Sequence, residues 1–150
     1  MKEVVLGVNM LHPDAAACVV IDGELVAATE EERFTRIKHY SGVPLGAMSA
    51  CLIDAGLSYE DVNIIAINTD PQRVLFRRLL YVLKNPSIFG YALSRLANRL
   101  LQGHSKEMND FRQIVRCVKA RGGRVVKVDH HLCHAISSVA PFSSARCGIL

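Results

Sequence analysis

Three of the chain's six histidines, His130, His131 and His134, fall within five residues, directly after the apolar run at residues 125–128. Residues four apart are neighbours on a helix. A helical segment therefore puts His130 and His134 on one face and turns His131 and Cys133 away. Two neutral imidazoles on one face form half of a site for a divalent transition metal, and a closed site needs two further ligands. The plain alternative is helix-start polarity and core packing around the pair. Asp129 is placed to cap that helix.

Two further groups of residues can do chemistry. The first turn carries Gly7, Asn9, His12, Pro13 and Asp14 between two β-like runs. Ligands in sheet folds sit at strand ends and the loops joining them, so His12 and Asp14 can hold a polar substrate group. An ordinary turn accounts for Pro13 and Asp14 equally well. The charged stretch at residues 30–39 carries Arg33 and Lys38, which can face an anionic ligand through charge-assisted bonds. Its alternative is a solvated helical turn with a weak Glu32–Arg36 pair.

The elements that must position these groups follow from local pattern. Residues 3–9, 15–21 and 24–29 read as three strands, the last two joined by the Asp22-Gly23 hairpin signal. A helix is expected from Pro44, with Leu45, Met48, Cys51, Leu52 and Ala55 on one stripe, ending at Gly56. Residues 62–67 form a continuous apolar strand, which implies a position inside a sheet. Residues 73–102 predict two basic amphipathic helices, and residues 107–120 another helix ending at Gly122-Gly123. Residues 125–128 give a fifth strand, and Gly148-Ile149-Leu150 begins one more, so the chain is expected to continue past Leu150.

Composition narrows the classes. Half of the 150 residues are apolar and 21% are charged, which fits a globular α/β protein rather than a disordered one. No apolar run reaches the length of a membrane span, and the N-terminus lacks the pattern of a secretory signal. Five scattered cysteines with no CxxC argue against a disulfide framework or zinc ribbon and for mostly buried thiols in a reducing, cytoplasmic setting. The net charge of +4 is uneven: residues 71–121 hold eleven Lys/Arg against two acids, a net of +9. The basic helices at 73–102 can touch a membrane surface peripherally or dock on a partner, and a helix pair with a solvated basic face explains them as well. A basic stripe alone is weak evidence for nucleic acid, and none is expected.

The order β-β-β-α-β-(helices)-β-α-β is the pattern of a ribonuclease H-like, actin-like ATPase half-domain: a mixed sheet with three antiparallel N-terminal strands and flanking helices. Three stretches carry a more specific likeness: residues 7–17 around His12-Pro13-Asp14, residues 22–39 ending in Arg33-Phe34-Thr35-Arg36-Ile37-Lys38-His39, and residues 129–135 around His130 and His134. In this order they resemble the N-terminal part of the NodU/CmcH-type O-carbamoyltransferases, relatives of the enzymes that transfer a threonylcarbamoyl group to tRNA.

The resemblance implies that residues 1–150 are the N-terminal portion of an actin-like domain, with a basic helical insertion at about 72–121. It implies a divalent metal, iron first and zinc or manganese as alternatives, held by His130, His134 and later aspartates. It further implies ATP with Mg, carbamoyl phosphate, and a C-terminal YrdC-like domain that makes carbamoyladenylate. The carbamoyl group would pass to a hydroxyl of a sugar or natural-product acceptor. His12 and Lys38 take catalytic places, and Asn9, Asp14 and Arg33 line the carbamoyl and nucleotide pocket. Two other readings stand beside it: a different actin-like ATPase such as a sugar kinase, and a non-catalytic module using the basic helices. This portion alone is not expected to turn over.

Overall fold

In the first strand, β1 (Val4–Asn9), buried and half-buried residues alternate, as the period of a pleated strand requires. Val4, Leu6 and Val8 face the core, and Val5, Gly7 and Asn9 face the other way. The computed structural model of the chain describes residues 2–68, 106–129 and 132–133. The expected basic helices at 73–102 and the strand at 148–150 lie outside those residues.

β2 (Ala16–Ile21) runs antiparallel to β1, with Gly7 opposite Cys18 and Asn9 opposite Ala16. Asp22 and Gly23 then reverse the chain at φ 50° and 88°. Both central residues lie in the left-handed region that a type I′ turn demands, which is why Asp-Gly suits the position. β3 (Glu24–Glu30) pairs antiparallel with β2 and forms one edge of the sheet.

β4 (Ile64–Ile67) lies between β1 and β5 (Arg124–Lys127), parallel to both, and the sheet order is β3-β2-β1-β4-β5. The four-residue apolar run of β4 thus occupies the interior place expected of it, with Ile65 fully buried. Parallel neighbours need long crossovers. Between β1 and β4 the chain includes α1 (Glu32–Thr35) and α2 (Leu45–Asp54), and α3 (Lys106–Ala120) precedes β5.

α2 buries Ala47, Met48, Cys51 and Leu52 in the same core as Leu6, Val19 and Ile65. α3 adds Phe111 and Val118, flanked by half-buried Met108, Ile114 and Val115 at helical spacing. Both helices therefore serve one face of the sheet. α2 starts one residue later than expected: Pro44 is its N-cap, not its first helical residue. Its end matches expectation. Gly56, at φ 67°, donates to Ile53 O at 2.9 Å while Leu57 donates to Leu52 O at 2.8 Å, the paired bonds of a Schellman cap. Among the described residues no helix is long and apolar enough to cross a membrane.

The described cysteines are all free thiols. Cys51 is buried, Cys18 and Cys133 are half-buried, and Cys117 is exposed on α3, so burial is less general than composition suggested.

Candidate functional site

The parallel strands β1 and β4 end side by side, and each end carries an asparagine. Asn68 donates its side-chain amide to Asn9 Oδ1, and Asn9 donates in turn to the Asp14 carbonyl at 2.8 Å. Asn68 Oδ1 accepts the Met10 amide at 3.4 Å. These bonds tie the first turn to the carboxyl ends of the parallel strands, the place where open α/β sheets bind ligands.

A cavity of about 670 Å³ opens on the sheet face opposite α2. Its floor is made of small residues, Gly7, Ala16, Cys18, Ala28 and Ala66, and its rim carries Asn9, Glu30, Arg33 and Asn68. Gly7 is needed there, because a Cβ at that position would lie 2.6 Å from Cys18 Sγ. Burial pushes the Cys18 thiol up, with a backbone hydrogen bond from Gly7 partly opposing the shift, so the group stays a neutral thiol.

The first turn is knitted to the segment after α1. Leu11 N donates to Gly42 O at 3.2 Å, and Ala15 N to Tyr40 O at 2.9 Å. The Asp14 carboxylate meets His39 Nδ1 at 2.8 Å. Four non-glycine residues of these two segments sit in the left-handed region: Leu11, Asp14, Arg36 and His39, at φ 60°, 62°, 58° and 55°. Such conformations persist where surrounding contacts over-determine them.

The expected site residues thus separate. Asn9 and Arg33 line the cavity, and His12, Asp14 and Lys38 are not among its described lining residues. His12 is half-buried in the first turn, and Lys38 is exposed beside His39. The Arg33 stretch is a solvated turn of helix, α1, and its exposed guanidinium still reaches the cavity rim.

Sequence reasoning missed Glu31, Asn68 and His39. Glu31 is buried, and its carboxylate accepts the amides of Gly46 at 3.1 Å and Ala47 at 2.7 Å. Asn68 was detectable as a polar residue directly after a buried strand. Glu31 carries no such mark among its acidic neighbours.

Tyr40 faces α3 across a second, smaller cleft shared with His39, Glu107 and Met108. Burial, then a hydrogen bond to Glu107 and its charge, push the phenol up to about 12.

Beyond β5, Asp129 behaves as the expected N-cap. Its carboxylate accepts the Leu132 amide at 3.3 Å, and its carbonyl accepts the Cys133 amide at 3.0 Å, the first helical bond. Cys133 lines the cavity. His130 and His134 lie outside the described residues. Among the described residues no three His, Cys, Asp or Glu side chains converge as metal donors.

Fold and site together define a mixed α/β unit whose first turn and parallel strand ends frame a polar-rimmed cavity. Residues 4–150 match the family model of the carbamoyltransferase N-terminus, and the chain belongs to that family. It is similar to nodulation protein NolNO of Sinorhizobium fredii, at 33% identity over 132 residues, 87% of this chain and 18% of that protein. It is 43% identical over 76 residues to uncharacterized protein sll1178 of Synechocystis sp., covering 51% of this chain and 12% of that one. A third relative is the uncharacterized 19.2 kDa protein in the syrM 5′ region of Rhizobium etli, 41% identical over 58 residues, 39% of this chain and 34% of that protein. The chain therefore spans only 12% to 34% of the length of these curated relatives. The likeness read from the three motif stretches agrees with this family.

Proposed function

We propose that the chain is the N-terminal part of an O-carbamoyltransferase. The full-length protein would move a carbamoyl group from carbamoyl phosphate, through carbamoyladenylate, to a hydroxyl of a sugar or natural-product acceptor. The observation that carries this reading is the family match across residues 4–150. The strand order β3-β2-β1-β4-β5 supports a ribonuclease H-like, actin-like scaffold.

In the transfer, the acceptor oxygen forms a bond to the carbamoyl carbon. The bond from that carbon to the adenylate phosphate oxygen breaks, and the hydroxyl proton leaves. Arg33, exposed at the cavity rim, is suited to a phosphate, which its planar donors can bind through two bonds. Lys38 neutralises charge on the departing adenylate. His12 takes the hydroxyl proton or orients the carbamoyl group. Asn9 and Asn68 hold the first turn in register, and Asp14 acts through its contact with His39 rather than at the cavity.

The Asp129 cap and the helical bond to Cys133 fit a helix that would carry His130 and His134 as imidazole donors to a divalent metal. When bound, that metal would polarise phosphate oxygens as a Lewis acid. Carbamoyladenylate would come from carbamoyl phosphate and ATP, with Mg, in a YrdC-like domain elsewhere in the full-length protein, a reaction expected in the cytoplasm.

The test is an assay of the full-length protein with ATP, carbamoyl phosphate and a panel of sugar and antibiotic alcohols. Mass spectrometry should show an acceptor heavier by one carbamoyl group and pyrophosphate released with it. Absence of both from a folded preparation overturns the reading. Metal analysis of His134→Ala should show lost metal together with lost transfer; lost metal with unchanged transfer removes the metal from the chemistry.

A further inference from the structure

We propose that His39 and Asp14 form a positioning clasp that holds the turn bearing His12 against the segment bearing Lys38. The inference rests on the carbamoyl-transfer reading only in giving His12 and Lys38 their chemistry. The clasp itself stands on geometry. Asp14 Oδ1 and His39 Nδ1 are 2.8 Å apart, and bonds from Leu11 N to Gly42 O and from Ala15 N to Tyr40 O, which flank Asp14 in the turn, join it to the residues just after His39. Both partners sit at positive φ, so the backbone is bent to present them to each other. The two side chains are 75% and 56% exposed, and a pair so solvated contributes little to stability. Its effect is orientation. His12 is two residues before Asp14, and Lys38 directly precedes His39.

The charges facing His39 are Asp14 from the turn and Glu32 from α1, and Glu107 of α3 and Tyr40 share its cleft. The bond to Asp14, then its charge, raise the imidazole pKa; slight desolvation opposes this and Glu32 adds to it. A raised histidine pKa means the charged pair is intact at low pH and is lost as pH rises through the folded value. Transfer should therefore weaken on the alkaline side as the clasp neutralises.

The experiment uses the full-length protein, its Asp14→Asn and His39→Gln variants and the double variant. Histidine C2-hydrogen exchange, read by mass spectrometry, should give a lower His39 pKa in Asp14→Asn. Amide exchange at residues 10–15 and 36–42 should quicken in both single variants while the melting temperature holds. An unchanged His39 pKa overturns the clasp whatever the activity. With carbamoyl phosphate and ATP, each single variant should lose about tenfold in kcat with little change in KM, as misplacement of catalytic groups does. The double variant should lose no more than either single, the mark of one shared interaction. Multiplying losses would overturn the proposal. Full transfer in Lys38→Ala and His12→Ala would instead refute the functional reading, leaving the exchange results to judge the clasp.

Discussion

The Glu31 carboxylate lies against the first turn of α2, with Oε2 accepting the Ala47 amide at 2.7 Å and Oε1 accepting that of Gly46 at 3.1 Å. Pro44, at the N-cap, makes no side-chain bond to these donors. A buried anion brought from the end of β3 does so instead and also meets the positive end of the helix dipole. Glu31→Ala should destabilise the protein by about 2 kcal/mol, the scale of charge-assisted bonds and lost caps. Glu31→Gln, which keeps one acceptor oxygen, should cost less. Denaturant midpoints measure both, and an unmoved midpoint for the alanine variant would remove the capping role.

Gly7 and Cys18 face each other across β1 and β2, and a methyl on Gly7 would lie 2.6 Å from Cys18 Sγ. Gly7→Ala should cost about 1–3 kcal/mol by overpacking. Adding Cys18→Ala should recover most of that loss. A double-mutant cycle reports the coupling, and additive losses would show that the sulfur is not the obstacle.

Gly123 lies where α3 hands over to β5. A Cβ there would sit 2.5 Å from Val118 Cγ1, 2.9 Å from Val118 O and 3.0 Å from Asn63 O. Both oxygens already accept backbone bonds, from Gly123 at 3.0 Å and Arg124 at 2.9 Å. They cannot retreat without loosening β5, so Gly123→Ala should cost about 3 kcal/mol, at the upper end of overpacking losses. Thermal melts of the variant test this directly.

Tyr40 should ionise near pH 12, above the ordinary tyrosine value of 10.0, when followed by phenolate absorbance. Glu107→Gln should lower that value, because it removes the charge that opposes the phenolate. The sign for stability follows. The unfolded chain releases this proton near 10, so the folded protein should lose stability as pH rises from about 10 to 12. Tyr40→Phe should show a flatter alkaline limb in the stability profile.

Much of the scaffold was legible because its signals are local. Apolar, β-rich runs marked β1 and β2, Asp22-Gly23 marked the hairpin, a stripe of apolar residues marked α2, and Asp129 marked the helix start after β5. Periods of 2 and 3.6 residues and the φ preference of a turn are properties of neighbours, so a short window contains them. The motif stretches identified the family in the same way. The site was legible only as a set of candidates. Nothing near Glu31 distinguishes it from Glu30 and Glu32; its partner Ala47 is 16 residues away. Asp14 reads as a binding residue, and its contact with His39, 25 residues on, has no mark in the sequence. Asn9 and Asn68 meet across 59 residues only because β4 inserts beside β1. Sequence alone determined which elements form and which side chains have the chemistry to act. Which polar group binds outward and which is spent holding another in place was decided by strand order and packing, because those contacts exist only once distant segments share a core.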